Sequence, residues 1–245
     1  MSPWRSLLAF PSFSAVPSAW RERTGDLFPA FQGLFLDKGT TKADIYTHCD
    51  LCGCAHKVIL RHDGTAAIAA CQCKPPKCPD TPLTIGDITG LELNLPRLGR
   101  TLAKTLGLVP KFAQLPPPAT FQFGAWSTDA VPAILTVQYL FPYFRRALAE
   151  VAALLSGPFI FVAPTNDFFD APCQVIMDSH RAAFFPLETT VIIKPDGTLQ
   201  PVRPPGELFA QFTPQPKEID QTVGERAVAL IEKLESERPL PHPPS

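Results

Sequence analysis

Between Tyr139 and Leu155 apolar side chains recur at intervals of three and four residues: Leu140, Phe144, Leu148, Val151 and Leu155. That period places them on one face of an α-helix, and Gly157-Pro158 ends it. Val131–Val137 before the helix and Phe159–Val162 after it are short, continuous apolar runs. Such runs are typical of strands covered on both faces. Strand, helix and strand in that order predict a βαβ crossover with parallel pairing, so residues 119–213 are expected to form an α/β domain. Within it Thr120–Trp126 alternates around Phe121 and Phe123, and Pro172–His180 is expected to be helical. Thr189–Lys194 and Leu199–Val202 read as a hairpin turning at Pro195-Asp196-Gly197-Thr198.

Upstream the pattern is more broken. Leu27, Phe28, Phe31, Leu34 and Phe35 put an apolar stripe on a short helix over Asp26–Leu36, with Pro29 tolerated in its first turn. Leu91-Glu92-Leu93-Asn94-Leu95 alternates as a strand does. Pro96 then opens a helix over Arg97–Leu106, whose buried stripe is Leu95, Leu98, Leu102 and Leu106 and whose stop is Gly107. Three consecutive prolines make Leu115–Ala119 the best boundary or rigid spacer. Near the end, Ile219, Val223, Ala227, Leu230, Ile231 and Leu234 predict an amphipathic helix over residues 216–237, followed by a disordered tail at 239–245. The expected layout is an N-terminal segment (1–47), a small module (48–78), a connector strand and helix (79–114), and then the α/β domain. The fold class is mixed α+β with an α/β C-terminal part.

Composition narrows this only slightly. Of 245 residues 45 % are hydrophobic and 18 % charged, and the formal net charge is −1, which excludes a polyelectrolyte. The distribution is uneven: residues 1–112 hold 13 Lys or Arg against 9 Asp or Glu, leaving the rest acidic. No apolar run approaches the roughly 18–20 residues that span a bilayer. Pro11 also cuts Leu7-Leu8-Ala9-Phe10 short of a signal-peptide core. A soluble, cytoplasmic protein is expected.

Candidate chemistry concentrates in one stretch. Six of the seven cysteines and three of the five histidines lie between His48 and Cys78. Asp63-Gly64 signals a hairpin with a two-residue type I′ loop. Folded there, Cys54 faces Cys73, His56 faces Cys71 and Cys49 lies across from Cys78. Side chains alternate along a strand, so Cys54, His56, Cys71 and Cys73 fall on one face. Cys49-Asp50-Leu51-Cys52-Gly53 is a knuckle whose two sulfurs reach one ion at about 2.3 Å. The candidate ligands are Cys49, Cys52, Cys73 and Cys78, with Cys71 and Cys54 as substitutes and His48 and His56 in reserve. Disulfides need an oxidising compartment, and an iron–sulfur cluster uses the same donors; zinc is the favoured cation. Knuckle, hairpin and second knuckle resemble a zinc ribbon over these thirty or so residues. The second half departs from that pattern, being Cys-x-Cys followed by Cys-x-x-x-x-Cys. The resemblance implies a closed, structural zinc site rather than a catalytic one.

Three functional readings follow. The first is an accessory or regulatory protein that contacts DNA or RNA through the zinc module, with Lys57, Arg61, Arg97, Arg100 and Lys104 meeting phosphate. The second is a zinc-stapled protein–protein interaction module, with the α/β part or C-terminal helix docking another protein. The third is a hydrolase built on Asn166–Asp170, beyond a strand's carboxyl end where α/β sheets bind ligands. There is no glycine-rich phosphate loop and no nucleophile elbow. Cys173 and His180 would lie about 10 Å apart along a helix, too far for a nucleophile and its base. The balance is against an enzyme.

Overall fold

Buried aromatic rings decide how the N-terminal segment packs. A computed structural model describes residues 2–47, 52–127 and 130–213. In it α1 (Ser6–Ala9), β1 (Ser14–Ala15), α2 (Pro17–Thr24) and α3 (Phe28–Phe35) follow one another. Trp4, Trp20, Phe31 and Phe35 are fully buried among them, their rings in contact at centroid distances of 5.2 to 5.8 Å. A buried indole N–H left unpaired is costly. Here Trp4 donates to the carbonyl of Val191 at 2.7 Å and Trp20 to that of Leu91 at 3.1 Å. Both acceptors are distant in sequence, so these bonds tie the segment to the body.

The chain continues through β2 (Leu36–Lys42), β3 (Ile45–Tyr46), β4 (His56–Leu60), β5 (Ala66–Cys71), β6 (Thr81–Thr84), α4 (Ile85–Ile88), β7 (Thr89–Leu93) and α5 (Leu95–Thr105). Strand β7 lies between β1 and β2 in a three-stranded antiparallel sheet. Strands β3, β4, β5 and β6 make a separate four-stranded antiparallel sheet, the module that carries the cysteines. The Asn94 side chain caps α5 by accepting from the Arg97 N–H at 2.8 Å, so Pro96 falls in the first turn where no donor is lost.

Beyond α5 come β8 (Val109–Gln114), β9 (Thr120–Trp126), β10 (Val131–Thr136), α6 (Phe141–Leu154), β11 (Ile160–Ala163), α7 (Ala171–Ser179), β12 (Ala183–Pro186), α8 (Leu187–Thr190), β13 (Val191–Ile193), β14 (Leu199–Pro201) and α9 (Pro205–Leu208). Five strands form a mixed sheet in the order β12-β11-β10-β9-β8. β10, β11 and β12 run parallel, as the βαβ pattern predicts, and β9 and β8 add antiparallel edges. Leu115–Ala119, the expected boundary, is the loop between the paired strands β8 and β9.

Period-two alternation gives this sheet two cores. Ala133, Leu135, Ile160 and Val162 face a large cluster with α5, Phe121, Phe123 and the N-terminal aromatics. Ile134, Phe161 and Ala163 point the other way, onto Phe144, Leu148 and Val151 of α6 and Cys173 and Met177 of α7. Residues up to Phe212 form one compact unit. Among the described residues no helix is long and apolar enough to cross a membrane. The C-terminal helix expected over residues 216–237 and the tail at 239–245 lie outside the described residues.

Phe161 is fully buried between α6 and its own sheet, against Phe144 and Phe184. Phe161→Ala should lower the unfolding free energy by about 3–5 kcal/mol, the usual cost of deleting a buried ring. Urea denaturation measures it, and a loss under about 1 kcal/mol would contradict this packing.

Candidate metal centre

The hairpin at the heart of the module has the predicted register. His56 pairs with Cys71, Val58 with Ala69, and Leu60 with Ala67. The loop, however, is wider than the two-residue type I′ turn. Gly64 alone has positive φ (+65°), whereas type I′ needs it at both central residues. Arg61 N–H donates to Ala66 and Gly64 N–H to Arg61, each at 2.9 Å, so four residues turn the chain. Asp63 spends its carboxylate on the Thr65 N–H at 3.1 Å. One residue has been added to the loop on each side, so parity and facing are unchanged.

Alternation therefore puts Tyr46, His56, Val58, Ala67, Ala69, Cys71 and Leu83 on one face. Part of that face is a small apolar cluster of Ala67, Ala69, Leu83 and Ile88 with Val58, Tyr46 and Ile85 packed on it. The other part is sulfur and imidazole. Cys52, Cys54, Cys71 and Cys73 place their sulfurs within 4.8 Å of one another, and so do Cys52, His56, Cys71 and Cys78 with their ligand atoms. Individual contacts run from 2.8 Å for Cys52–Cys54 through 3.2 Å for Cys73–Cys54 to 3.5 Å for Cys78–Cys52 and 3.8 Å for Cys54–Cys71. The edge of a zinc–thiolate tetrahedron is roughly 3.8 Å for bonds of about 2.3 Å. These four pairs are spaced at or inside that edge.

Local backbone chemistry arranges the donors. Gly53 turns between Cys52 and Cys54 at a φ of +59°, a conformation that costs a glycine little. His56 is fully buried, and its Nδ1 lies 2.9 Å from the Cys54 carbonyl, which can only accept. Nδ1 therefore carries the proton, and Nε2 presents its lone pair 3.0 Å from the Cys78 sulfur and 3.8 Å from that of Cys52. Backbone N–H groups of Cys73 and Lys77 point at the Cys71 sulfur and pull its thiol down to about 5. At Cys54 the hydrogen bond from Cys52 acts downward, but Cys73, burial and Cys71 outweigh it, and the thiol is raised. Sulfurs this close cannot all ionise without a cation between them. Among the described residues the donor set is thiolate and imidazole with no carboxylate, which fits a thiophilic transition metal and not magnesium or calcium.

Of the six candidate cysteines, Cys52, Cys54, Cys71, Cys73 and Cys78 converge; Cys49 lies outside the described residues, as does His48. His56, held in reserve on sequence, stands among the donors. Its signal was its position opposite Cys71.

The expected phosphate contacts are scattered. Lys57 is exposed on β4 and Arg61 at the hairpin loop, while Arg100 and Lys104 are exposed on α5, which packs on β8 and β9. Arg97 is engaged internally, bound to the Asp37 carboxylate and the Leu36 carbonyl, both at 2.8 Å.

The Asn166–Asp170 loop is likewise committed to holding the fold. Asp167 takes two hydrogen bonds from Arg5, at 2.7 and 2.9 Å, and Arg5 also reaches Glu188 at 3.2 Å. Asp170 caps α7 by accepting from the Cys173 N–H at 3.0 Å and pairs with Arg145. Hydrogen bonds from Cys173, with the Arg145 guanidinium beside them, hold its carboxyl at about 2. Burial pushes the Cys173 thiol up, away from nucleophile chemistry.

No protein-family model, curated protein or solved structure matches the chain. The fold and site define a mixed α+β protein with a cysteine–histidine cluster able to hold a metal ion.

The Asp170 carboxyl titrates lower in the folded chain than the roughly 3.9 of an unfolded aspartate, so its contribution is complete above that value and fades as pH falls toward 2. Asp170→Asn keeps a capping side chain and loses the charge. Its destabilisation, followed by urea melts, should be constant from pH 7 to about 5 and shrink below about 4. A deficit unchanged down to pH 2 would contradict the pairing.

Proposed function

We propose that the cluster binds zinc, and that the zinc staples a small docking module instead of performing chemistry. What carries this reading is the disproportion between donors and core. Among the described residues the module's buried apolar cluster is Ala67, Ala69, Leu83 and Ile88, two of them alanines, with Tyr46, Val58 and Ile85 partly buried against it. So little apolar burial does not hold a four-stranded sheet of this size folded, and natural modules of this kind add a metal or disulfides. Five thiols and a buried imidazole supply all the ligands a closed site needs, and thiolate with imidazole is zinc's usual structural environment.

Removing the metal should therefore unfold the module selectively. On chelation the amides of residues 56–84 should lose hydrogen-exchange protection while those of β10, α6 and β11 keep theirs. Protection that survives chelation unchanged would remove the staple from the account.

The partner is read from the face opposite the donors. Ile45 and Ile59 are 58 % and 44 % exposed there, beside Ile68 and Pro82. Lys57 faces Ile45 across the strand pair, and Arg61 follows on the same side. An apolar sheet face with a basic fringe and no strand acid suits a protein surface that is apolar and acidic. The nucleic-acid reading draws on the same Lys57 and Arg61, but exposed isoleucines gain nothing from phosphate.

A photo-reactive residue at position 59 of the metal-loaded full chain separates the two. We expect a discrete protein adduct in cells that is lost on Ile45→Asp and on Lys57→Glu. Recovery of nucleic acid there would favour the nucleic-acid reading instead. Binding to it should then weaken with salt, with a slope that Arg61→Ala reduces by about one.

A further inference from the structure

Resting on the zinc reading of the cluster, we infer that the module holds two metal ions bridged by the thiolates of Cys52 and Cys71. The two four-donor groups are not alternatives drawn from separate places. They share Cys52 and Cys71 and differ only in the pair that completes each: Cys54 with Cys73, or His56 with Cys78.

One tetrahedral ion takes four of these six donors and strands the remaining pair. If it sits among the four sulfurs, the fully buried His56 and the nearly buried Cys78 are left facing each other at 3.0 Å. If it sits with His56, the Cys54 and Cys73 sulfurs are left 3.2 Å apart at the cluster's edge. The first arrangement leaves unexplained why the His56 Nε2 lone pair is turned into the sulfurs by the Nδ1 bond to Cys54, and the second leaves unexplained why Cys54 and Cys73 are gathered against the same cluster.

Two ions use all six of these described donors. Cys54 and Cys73 are terminal on one ion and His56 and Cys78 on the other. Cys52 and Cys71 each give one lone pair to both. Five thiolates and a neutral imidazole against two divalent ions leave a net charge of −1, the same as one ion with three thiolates and His56, while one ion with four thiolates leaves −2. Two tetrahedra sharing an edge place the ions roughly 3 Å apart for zinc–sulfur bonds of about 2.3 Å.

The test is the metal content of the purified full chain, with X-ray absorption at the zinc edge. We expect two zinc ions per chain and a metal–metal scattering path near 3 Å. His56→Ala should lower the content from two to one, as should Cys54→Ser combined with Cys73→Ser. A content of one in the parent chain, or two ions without the short metal–metal path, would overturn the bridged pair and leave the zinc staple standing. A chain with no zinc would end both.

Discussion

Crowded thiols are the constraint on which the module depends. Cys52 and Cys54 precede β4, Cys71 ends β5, and Cys73 and Cys78 lie in the loop after it, with His56 the first residue of β4. Bringing their sulfurs this close without a cation would mean keeping them protonated against the backbone donors aimed at Cys71, or accepting like-charge repulsion at a few ångströms. A metal removes both costs. It also supplies the closure that a sheet buried on alanines lacks. A metal ion held there would account for both the geometry of the ligands and the survival of the strands between them.

The body of the protein is held differently. Alternation along β10 and β11 sends Leu135 and Val162 to one side and Ile134 and Phe161 to the other, so a single sheet serves two cores. The larger core reaches back to Trp4 and Trp20, whose indoles bond carbonyls far along the chain. The loop after β11 is drawn into the same scheme. Arg5 on Asp167 and Glu188 fastens the chain's first turn, and Asp170 on Cys173 and Arg145 fastens α7 to α6. A position that hosts ligands in many α/β sheets here carries ion pairs through Asp167 and Asp170.

Much of this was legible in the residues, for reasons that differ by element. The stripe from Leu140 to Leu155 and the apolar runs on either side specify a βαβ unit because helix and strand periods cannot be confused over that length. The hairpin register was readable because any symmetric loop about Asp63-Gly64 preserves the pairing of His56 with Cys71. The loop's width was not, since Gly64 alone takes up the positive φ. Arg97 looked like a surface cation because the pattern of one helix cannot show that Asp37, sixty residues earlier, lies beside it. The flanking strands β3 and β6 were missed as part of the module for the same reason. Short edge strands are defined by what they pair with, more than by their own sequence.

Cobalt(II) added to the metal-free full chain tests the central claim most directly, because its spectrum reports ligand type and geometry together. The account predicts intense thiolate-to-cobalt charge-transfer absorption with the visible bands of a tetrahedral site, both abolished when zinc is added. A weak octahedral spectrum that zinc leaves unchanged would mean that these cysteines are gathered for some purpose other than holding a metal.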